Sequence, residues 1–200
     1  GGLYVMARPK ALAAAAVAEL TGDPIQGEQV FWASGCASCH MADKAEGEAG
    51  FPRLAGQHAQ YVARQLADYK SGKRVSSTMK PMVEDLGPED FKALGAYFES
   101  QKTQIHKVED SDLAQMGRFI FMRGNPYSGV AACSTCHGPK GHGTDTLPRI
   151  AGQHAQYTEN QLKAFDKRER TNDNAIMQAV ASKLTELEAK AVAAYISGLE

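Results

Sequence analysis

Cys36-Ala-Ser-Cys-His40 and Cys133-Ser-Thr-Cys-His137 are the two stretches that decide how this chain folds. Both have the Cys-x-x-Cys-His pattern that attaches a c-type haem. The spacing places two thiols one helical turn apart, where both can form thioethers to the porphyrin, and leaves the next histidine as an axial ligand of the iron. The predicted attachment residues are Cys36, Cys39, Cys133 and Cys136, and the predicted axial ligands are His40 and His137.

Other uses of Cys-x-x-Cys fit the chain less well. A zinc site needs four converging cysteine or histidine ligands, which the two motifs together could supply. A thioredoxin-like redox pair needs a βαβ context, and the sequence has no such pattern. The two copies use all four cysteines of the chain, which favours two covalently attached haems.

The chain is a tandem repeat. The stretch 52–61 (PRLAGQHAQY) recurs as 148–157 (PRIAGQHAQY), 96 residues further on, and the two Cys-x-x-Cys-His motifs lie 97 residues apart. Near the end of each half, 94–98 matches 192–196 at a separation of 98. Three nearly equal separations indicate a duplicated domain with small insertions. Each half is therefore expected to carry one haem.

The repeat sets the expected domain boundaries. Residues 1–24 have no counterpart in the second half and form an N-terminal extension, which could be a docking helix, a membrane-tether remnant or a tail. The first domain is predicted over 25–101 and the second over 113–200. Residues 102–112 are polar, without an amphipathic period, and are predicted to be a linker.

Both halves have helical spacing of apolar residues and no convincing alternating strand, which predicts an all-α protein. Pro88 suits a first helical turn, and Thr185 with Glu188 forms a capping box. A domain of this size buries little surface on its own, so the haem is expected to complete the core and the apo-protein to be largely unfolded. The predicted helices are 25–33, 58–71, 88–101, 116–122, 154–168 and 185–199.

The repeat also predicts a second axial ligand for each iron. Methionine is a common sixth ligand of c-type haem and raises its potential. Met79 and Met177 occupy equivalent positions, 39 and 40 residues after the histidines of their halves. Met82 is a rival to Met79, but it aligns with Val180, so Met79 is favoured. The equivalent His58 and His154 are an alternative pair of axial ligands.

Pro52 and Pro148 follow the two motif histidines by 12 and 11 residues. In small c-type cytochromes a proline carbonyl accepts a hydrogen bond from the ring of the ligating histidine, and these prolines are predicted to do so. His106 and His142 are expected to be solvated. Candidates to neutralise the haem propionates are Arg53, Lys73, Arg74, Arg149, Arg168 and Arg170. Candidates to donate hydrogen bonds at the same haem edge are Gln57, Tyr61, Gln153 and Tyr157.

Composition narrows the function classes. The chain has 22 basic and 23 acidic residues among 200, and 43% apolar residues. No basic block suggests nucleic-acid binding, and no apolar run is long enough to span a membrane, which leaves peripheral membrane association open. Thioether attachment of haem takes place outside the cytoplasm, so a periplasmic protein whose leader is absent from this sequence is expected.

The residues around the second motif resemble the cytochrome c4 family of dihaem carriers. The resemblance covers about residues 25–200, and its most specific parts are 121–132 and the two Pro-x-x-Ala-Gly-Gln-His segments. It implies a tandem pair of class I cytochrome c domains, each wrapped round one covalent haem with His/Met ligation. It also implies electron transfer toward a terminal oxidase. The first half departs from the pattern at 32–35 and 43–50.

The sequence therefore predicts an electron carrier rather than an enzyme, since two axial ligands leave no open position on either iron. Its expected partners are redox proteins: a donor dehydrogenase or quinol-oxidising complex, and an acceptor oxidase. One alternative is an electron-accepting subunit of a dehydrogenase that oxidises a sulfur compound or an alcohol. Another is an independent dihaem peroxidase or thiosulfate dehydrogenase, which would need one exchangeable haem ligand.

Overall fold

The protein was examined as a computed structural model, which describes residues 22–40, 50–104 and 106–200. Two helical bundles follow one another along the chain, and the described residues contain no strand, only an isolated bridge between Asn125 and Val130. The all-α prediction is confirmed. The alternatives for residues 1–24 lie almost wholly outside the described residues, as does most of the divergent stretch 43–50.

The first bundle has five helices, and helix α5 is its centre. Helix α5 packs against α1 and α3. Gly27 allows the α1–α5 crossing, because a Cβ there would collide with the carbonyl group of Ala93. The helices are α1 (Pro24–Ala33), α2 (Ala37–His40), α3 (Ala59–Ser71), α4 (Met79–Val83) and α5 (Pro88–Ser100).

The second bundle repeats this arrangement. Its last helix, α10, packs against α6 and α8, and Gly117 of α6 lies against the carbonyl group of Ala191 as Gly27 does against that of Ala93. The helices are α6 (Ser111–Arg123), α7 (Ser134–His137), α8 (Ala155–Asp166), α9 (Ile176–Ala181) and α10 (Glu186–Ser197).

Side-chain caps explain where several helices begin. Thr185 and Glu188 form the predicted capping box of α10. The Asp110 carboxylate accepts a hydrogen bond from the Leu113 N–H at 2.9 Å, so α6 begins at Ser111. This start is five residues earlier than the predicted helix and two residues inside the predicted linker, because an aspartate cap continues the helix into a polar first turn.

Each bundle has its own apolar core, and a motif cysteine packs against each core. Phe31 and Leu94 are buried in the first, where Cys36 contacts the cluster. Phe121 and Val192 are buried in the second, where Cys133 does the same. The haem-attachment helices are thus held directly on the cores. No helix in the described part of the chain is long and apolar enough to cross a bilayer.

Candidate haem sites

The two motifs form single helical turns of the same geometry. The His40 N–H donates to the Cys36 carbonyl at 3.0 Å, and the His137 N–H donates to the Cys133 carbonyl at 2.9 Å. None of the four thiols is in a disulfide. Burial raises the pKa of Cys133 to about 11. The paired thiols on one turn match the two attachment points of a c-type haem.

Each motif histidine is oriented by a proline carbonyl. His40 Nδ1 lies 3.1 Å from the Pro52 oxygen, and His137 Nδ1 lies 3.1 Å from the Pro148 oxygen. Since a carbonyl only accepts, Nδ1 carries the proton in both rings and Nε2 keeps its lone pair. Burial lowers the pKa of both histidines, although the proline hydrogen bonds raise it in part. Neutral rings with a free Nε2 fit an axial iron ligand.

The candidate sixth ligands open short helices in both bundles. Met79 is the first residue of α4, and its N–H donates to Ser76 Oγ at 3.1 Å. Met177 is the second residue of α9. Both side chains are half-buried, whereas Met82 is 37% exposed.

A network of buried and half-buried polar side chains joins the two bundles, and Arg74 is one of its two centres. Arg74 Nη1 donates to Gln65 Oε1 of its own bundle at 2.8 Å. Its Nη2 donates to the Tyr157 hydroxyl and to Gln161 Oε1 of the second bundle, both at 3.0 Å. The guanidinium also lies over the Tyr69 ring at 4.7 Å. Arg74 is buried, unlike the solvated side chain that arginine usually has.

Arg170 is the equivalent centre in the second bundle. It donates to Gln161 Oε1 of its own bundle at 2.7 Å. Across the interface between the two bundles, called the seam below, it donates to the Tyr61 hydroxyl at 3.0 Å and to Gln65 Oε1 at 3.1 Å. It lies over the Phe165 ring at 4.5 Å. Burial raises the pKa of Tyr61, but the Arg170 and Arg74 charges more than offset this, and the pKa falls below its ordinary value.

Neither of these two guanidinium groups has a carboxylate within ion-pair distance among the described residues. Arg74 is buried and Arg170 is half-buried, and cations withdrawn from water without a paired anion are costly. Haem propionates are the anions that this chain's prosthetic groups would bring, so the network fits two propionate-bearing haems. Of the other propionate candidates, Lys73 and Arg168 are exposed, whereas Arg53 and Arg149 are half-buried, as Arg170 is.

Gln57 and Gln153 form a reciprocal clasp between the bundles. Gln57 accepts from the Arg149 N–H at 2.8 Å and donates to the Arg149 carbonyl at 2.8 Å. Gln153 does the same with Arg53, at 2.9 and 3.0 Å. The backbone of the opposite bundle takes the amide oxygen and one N–H of each glutamine, so donation at the haem edge stays a prediction for the second N–H. The sequence repeat does not predict these interdomain bonds, because they depend on the relative orientation of the two bundles.

The tyrosines that were also expected to donate there instead accept. Tyr61 and Tyr157 take hydrogen bonds from the arginine of the opposite bundle. No described contact uses either hydroxyl as a donor, so their predicted donation at the haem edge stays a prediction.

The remaining histidines lie at the seam or close to it. His58 Nε2 donates to the His142 carbonyl at 2.6 Å, and His142 Nε2 donates to the Glu200 carbonyl at 2.6 Å. His142 is exposed as expected but is not simply solvated, because both bonds tie it to the fold. His106 is half-buried beside Gly152, so its expected solvated position is wrong.

His154 shares the seam with His106 and Arg53. Burial, followed by the Arg53 charge and then by His106, lowers the pKa of His154 to about 4. Within the described residues, no three histidine, cysteine, aspartate or glutamate side chains converge as a metal site would require. The alternative of a zinc site shared by the two motifs therefore has no support in this part of the chain.

Sequence reasoning missed two buried residues that complete the network. Asn172 Nδ2 donates to Asp68 Oδ2 at 2.7 Å and to Gln65 Oε1 at 2.9 Å. Asp68 is 7% exposed and Asn172 is 9% exposed. The equivalent positions in the other half are Ala164 and Ser76, so the repeat offers no signal for this pair.

Comparison with known proteins agrees with this geometry. The cytochrome c family model matches residues 25–120 and again 121–200. A cytochrome c4 of Pseudomonas aeruginosa is 37% identical over 187 residues, which cover 92% of each chain. The chain belongs to the cytochrome c4 family. As in that family, two covalent haem c groups and electron transfer follow from the paired domains and their Cys-x-x-Cys-His motifs.

Two further relatives agree with this family assignment. The crystal structure of reduced recombinant cytochrome c4 from Pseudomonas stutzeri matches with a TM-score of 0.83 and 36% identity, and covers 90% of this chain and 100% of that one. A protein of Stutzerimonas stutzeri named thiosulfate dehydrogenase electron acceptor is 34% identical, over 96% of this chain and 94% of that protein. This chain is thus similar both to cytochromes c4 and to a protein named as the electron acceptor of a dehydrogenase.

Proposed function

We propose that this cytochrome c4 is a periplasmic relay that takes single electrons from one redox protein and passes them to another. The observation that carries the proposal is the duplicated geometry of a neutral, proline-bonded histidine beside two thiols on one helical turn. Each bound haem supplies one-electron chemistry, cycling between ferrous and ferric iron. The chain's own residues hold the haem, tune its potential and exclude other ligands.

The proposed ligand set is the same in both domains. Cys36, Cys39, Cys133 and Cys136 attach the haems, with His40 and Met79 as axial ligands in the first domain and His137 and Met177 in the second. Two protein ligands leave no position for substrate, so the proposed role is transfer rather than catalysis. Little geometric change is then needed on oxidation, which suits a fast carrier.

The two arginines at the centres of the network are proposed to neutralise haem propionates at the seam between the bundles. Arg74 and Arg170 lie in one hydrogen-bonded network, share Gln65 and Gln161 as acceptors, and lack a paired carboxylate. Propionates there would bring the edges of both haems to the same buried region. A path for an electron between the two haems would then run through this region.

The proposed donors and acceptors are redox proteins, either a quinol-oxidising complex or dehydrogenase on one side and an oxidase on the other. A second candidate role is that of a dedicated acceptor for a sulfur-compound dehydrogenase. The observation favouring it is the 34% identity to a thiosulfate dehydrogenase electron acceptor over 96% of this chain. Reduction by a thiosulfate dehydrogenase much faster than by quinol-oxidising complexes would favour the second role.

The proposed methionine ligands are tested by Met79→Leu and Met177→Leu in the haem-loaded protein. Each variant should lose half of the ferric methionine–iron charge-transfer band and lower the midpoint potential of one haem, because leucine cannot ligate. Met82→Leu is the matched control, three residues from Met79 and partly exposed, and should leave the band intact. Loss of the band in Met82→Leu, with an intact band in Met79→Leu, would contradict the assignment.

A further inference from the structure

The segment that precedes Met177 has a strained backbone. Asn174 and Ala175 have φ values of +53° and +64°, in the left-handed region, which asparagine tolerates but which is unfavourable for alanine. The non-glycine residues with positive φ among those described are these two and Arg168, and all lie in the second bundle. Such strain persists only where the surrounding structure holds it in place.

Part of the restraint is local. The Asp173 carboxylate accepts from the Ala175 N–H at 3.2 Å and from the Gln178 N–H at 3.0 Å. These bonds fix the turn relative to α9 but do not fix it relative to the rest of the molecule. A second restraint is needed to hold the turn in position.

That second restraint comes from the first domain. Asn172 is buried, and its amide donates to the Asp68 carboxylate at 2.7 Å and to Gln65 at 2.9 Å, both on helix α3. A hydrogen bond from a buried amide to a buried carboxylate is stronger than a neutral one. The strained turn is therefore attached, five residues before Met177, to the opposite domain.

The first half has no equivalent of this amide–carboxylate pair. Ser76 stands in the place of Asn172 and accepts from the Met79 N–H within its own bundle. Ala164 stands in the place of Asp68 and cannot accept a side-chain hydrogen bond. The first methionine segment is joined to the opposite domain through Arg74 instead, so the Asp68–Asn172 link is specific to the methionine segment of the second domain.

We propose that Asp68 and Asn172 form an interdomain anchor through which the first domain holds Met177 in ligating position on the second haem. Asp68 is thus a positioning residue for a haem that its own domain does not bind. The proposal rests on Met177 being the sixth ligand, as proposed above. Without the anchor, the turn at 174–175 relaxes and Met177 leaves the iron more readily.

The test uses the dihaem protein in two backgrounds that separate the haems. With Met79→Leu present, the ferric methionine–iron band reports only the second haem, and with Met177→Leu present it reports only the first. Asp68→Ala and Asn172→Ala should weaken the band of the second haem and raise its affinity for imidazole about tenfold or more, since a buried charged hydrogen bond is lost. The first haem's band should not change.

Two further variants sharpen the test. Ala175→Gly removes the left-handed strain, so adding it to Asp68→Ala should restore much of the band and of the resistance to imidazole. Ser76→Ala, the equivalent change in the first half, should leave the second haem unaffected.

The proposal is overturned if Asp68→Ala and Asn172→Ala leave the second haem's band and imidazole affinity unchanged, or alter both haems equally. If Met177→Leu alone leaves the full band intact, Met177 is not a ligand. That result would refute the ligand assignment itself, and the anchor proposal, which rests on it, would fall for that reason.

Discussion

The two halves of this cytochrome c4 share a frame but support their methionines differently. Both have a proline-bonded histidine at 3.1 Å and a glycine crossing between their terminal helices. In the first half the methionine helix is capped by a neighbouring serine, whereas in the second it follows a strained turn bonded to the other domain. The histidine side of each site is thus duplicated, while the methionine side has diverged.

The largest expected effect comes from removing one haem and leaving the other. Cys36→Ser with Cys39→Ser should yield a chain that carries one haem instead of two and has an unfolded first bundle, because the small core around Phe31, against which Cys36 packs, would lack the haem expected to complete it. Mass spectrometry and circular dichroism measure both. The paired change of Cys133 and Cys136 should unfold the second bundle instead. A first bundle that keeps its helices without haem would contradict the account.

The glycine crossings give the next largest effect. Gly117→Ala and Gly27→Ala place a Cβ against the carbonyl groups of Ala191 and Ala93, and each should lower the free energy of unfolding by about 1–3 kcal/mol. Thermal unfolding followed at each haem should show one domain affected in each variant. Gly50→Ala is the control, since no atom of the described residues lies within 4 Å of its added Cβ. Equal loss from Gly50→Ala would refute the packing argument.

Replacing the two clasp glutamines tests whether they contribute equally to the free energy of interaction between the bundles. Gln57→Ala and Gln153→Ala each remove two hydrogen bonds to the opposite backbone, which should cost about 1–3 kcal/mol of domain–domain interaction. The loss should be greater for Gln57→Ala. The reason is that Arg53 still holds the opposite bundle in Gln153→Ala, through its 2.7 Å side-chain bond to the Gly152 carbonyl. In Gln57→Ala, Arg149 gives no such support, since its Nε is buried without a partner among the described residues.

Chemical denaturation measures this difference. Separation of the two domain transitions should be wider in Gln57→Ala than in Gln153→Ala. A single transition unchanged in both variants would show that the clasp does not couple the bundles.

The smallest effect is a pH dependence at the seam. The pKa of His154 is lowered from 6.5 to about 4 by burial, by Arg53 and by His106, so the folded state favours the neutral ring. The stability from this residue is present above pH 6.5 and is lost as the pH falls toward about 4. His154→Gln should flatten the stability profile in that range. An unchanged slope would show that His154 does not titrate as the fold requires.

The sequence repeat made those parts of each haem site predictable that lie within a single domain. The similar spacing of Pro52 and Pro148 from their histidines, 12 and 11 residues, predicted two ring hydrogen bonds that the structure contains. These contacts lie within a single bundle, so the local sequence contains the information. The start of α6 was missed only because Asp110 caps a polar turn that lacks an apolar period.

Contacts between the bundles could not be predicted in the same way. Gln57 is predictable as a polar residue near the haem, but its bond to the Arg149 backbone depends on the relative orientation of the domains. The same is true of Asp68 and Asn172, which have no repeat partner. Residues that lie far apart in sequence and differ between the halves carry no periodic signal.

The central claim is that both irons have histidine and methionine ligands and none is open. Visible spectra of the oxidised and reduced protein, recorded with and without carbon monoxide, test it most directly. The account predicts two low-spin haems, the ferric methionine–iron band, and no response to carbon monoxide. A high-spin component, or a carbon monoxide shift in half of the haem, would contradict it and show that one iron is open to substrate.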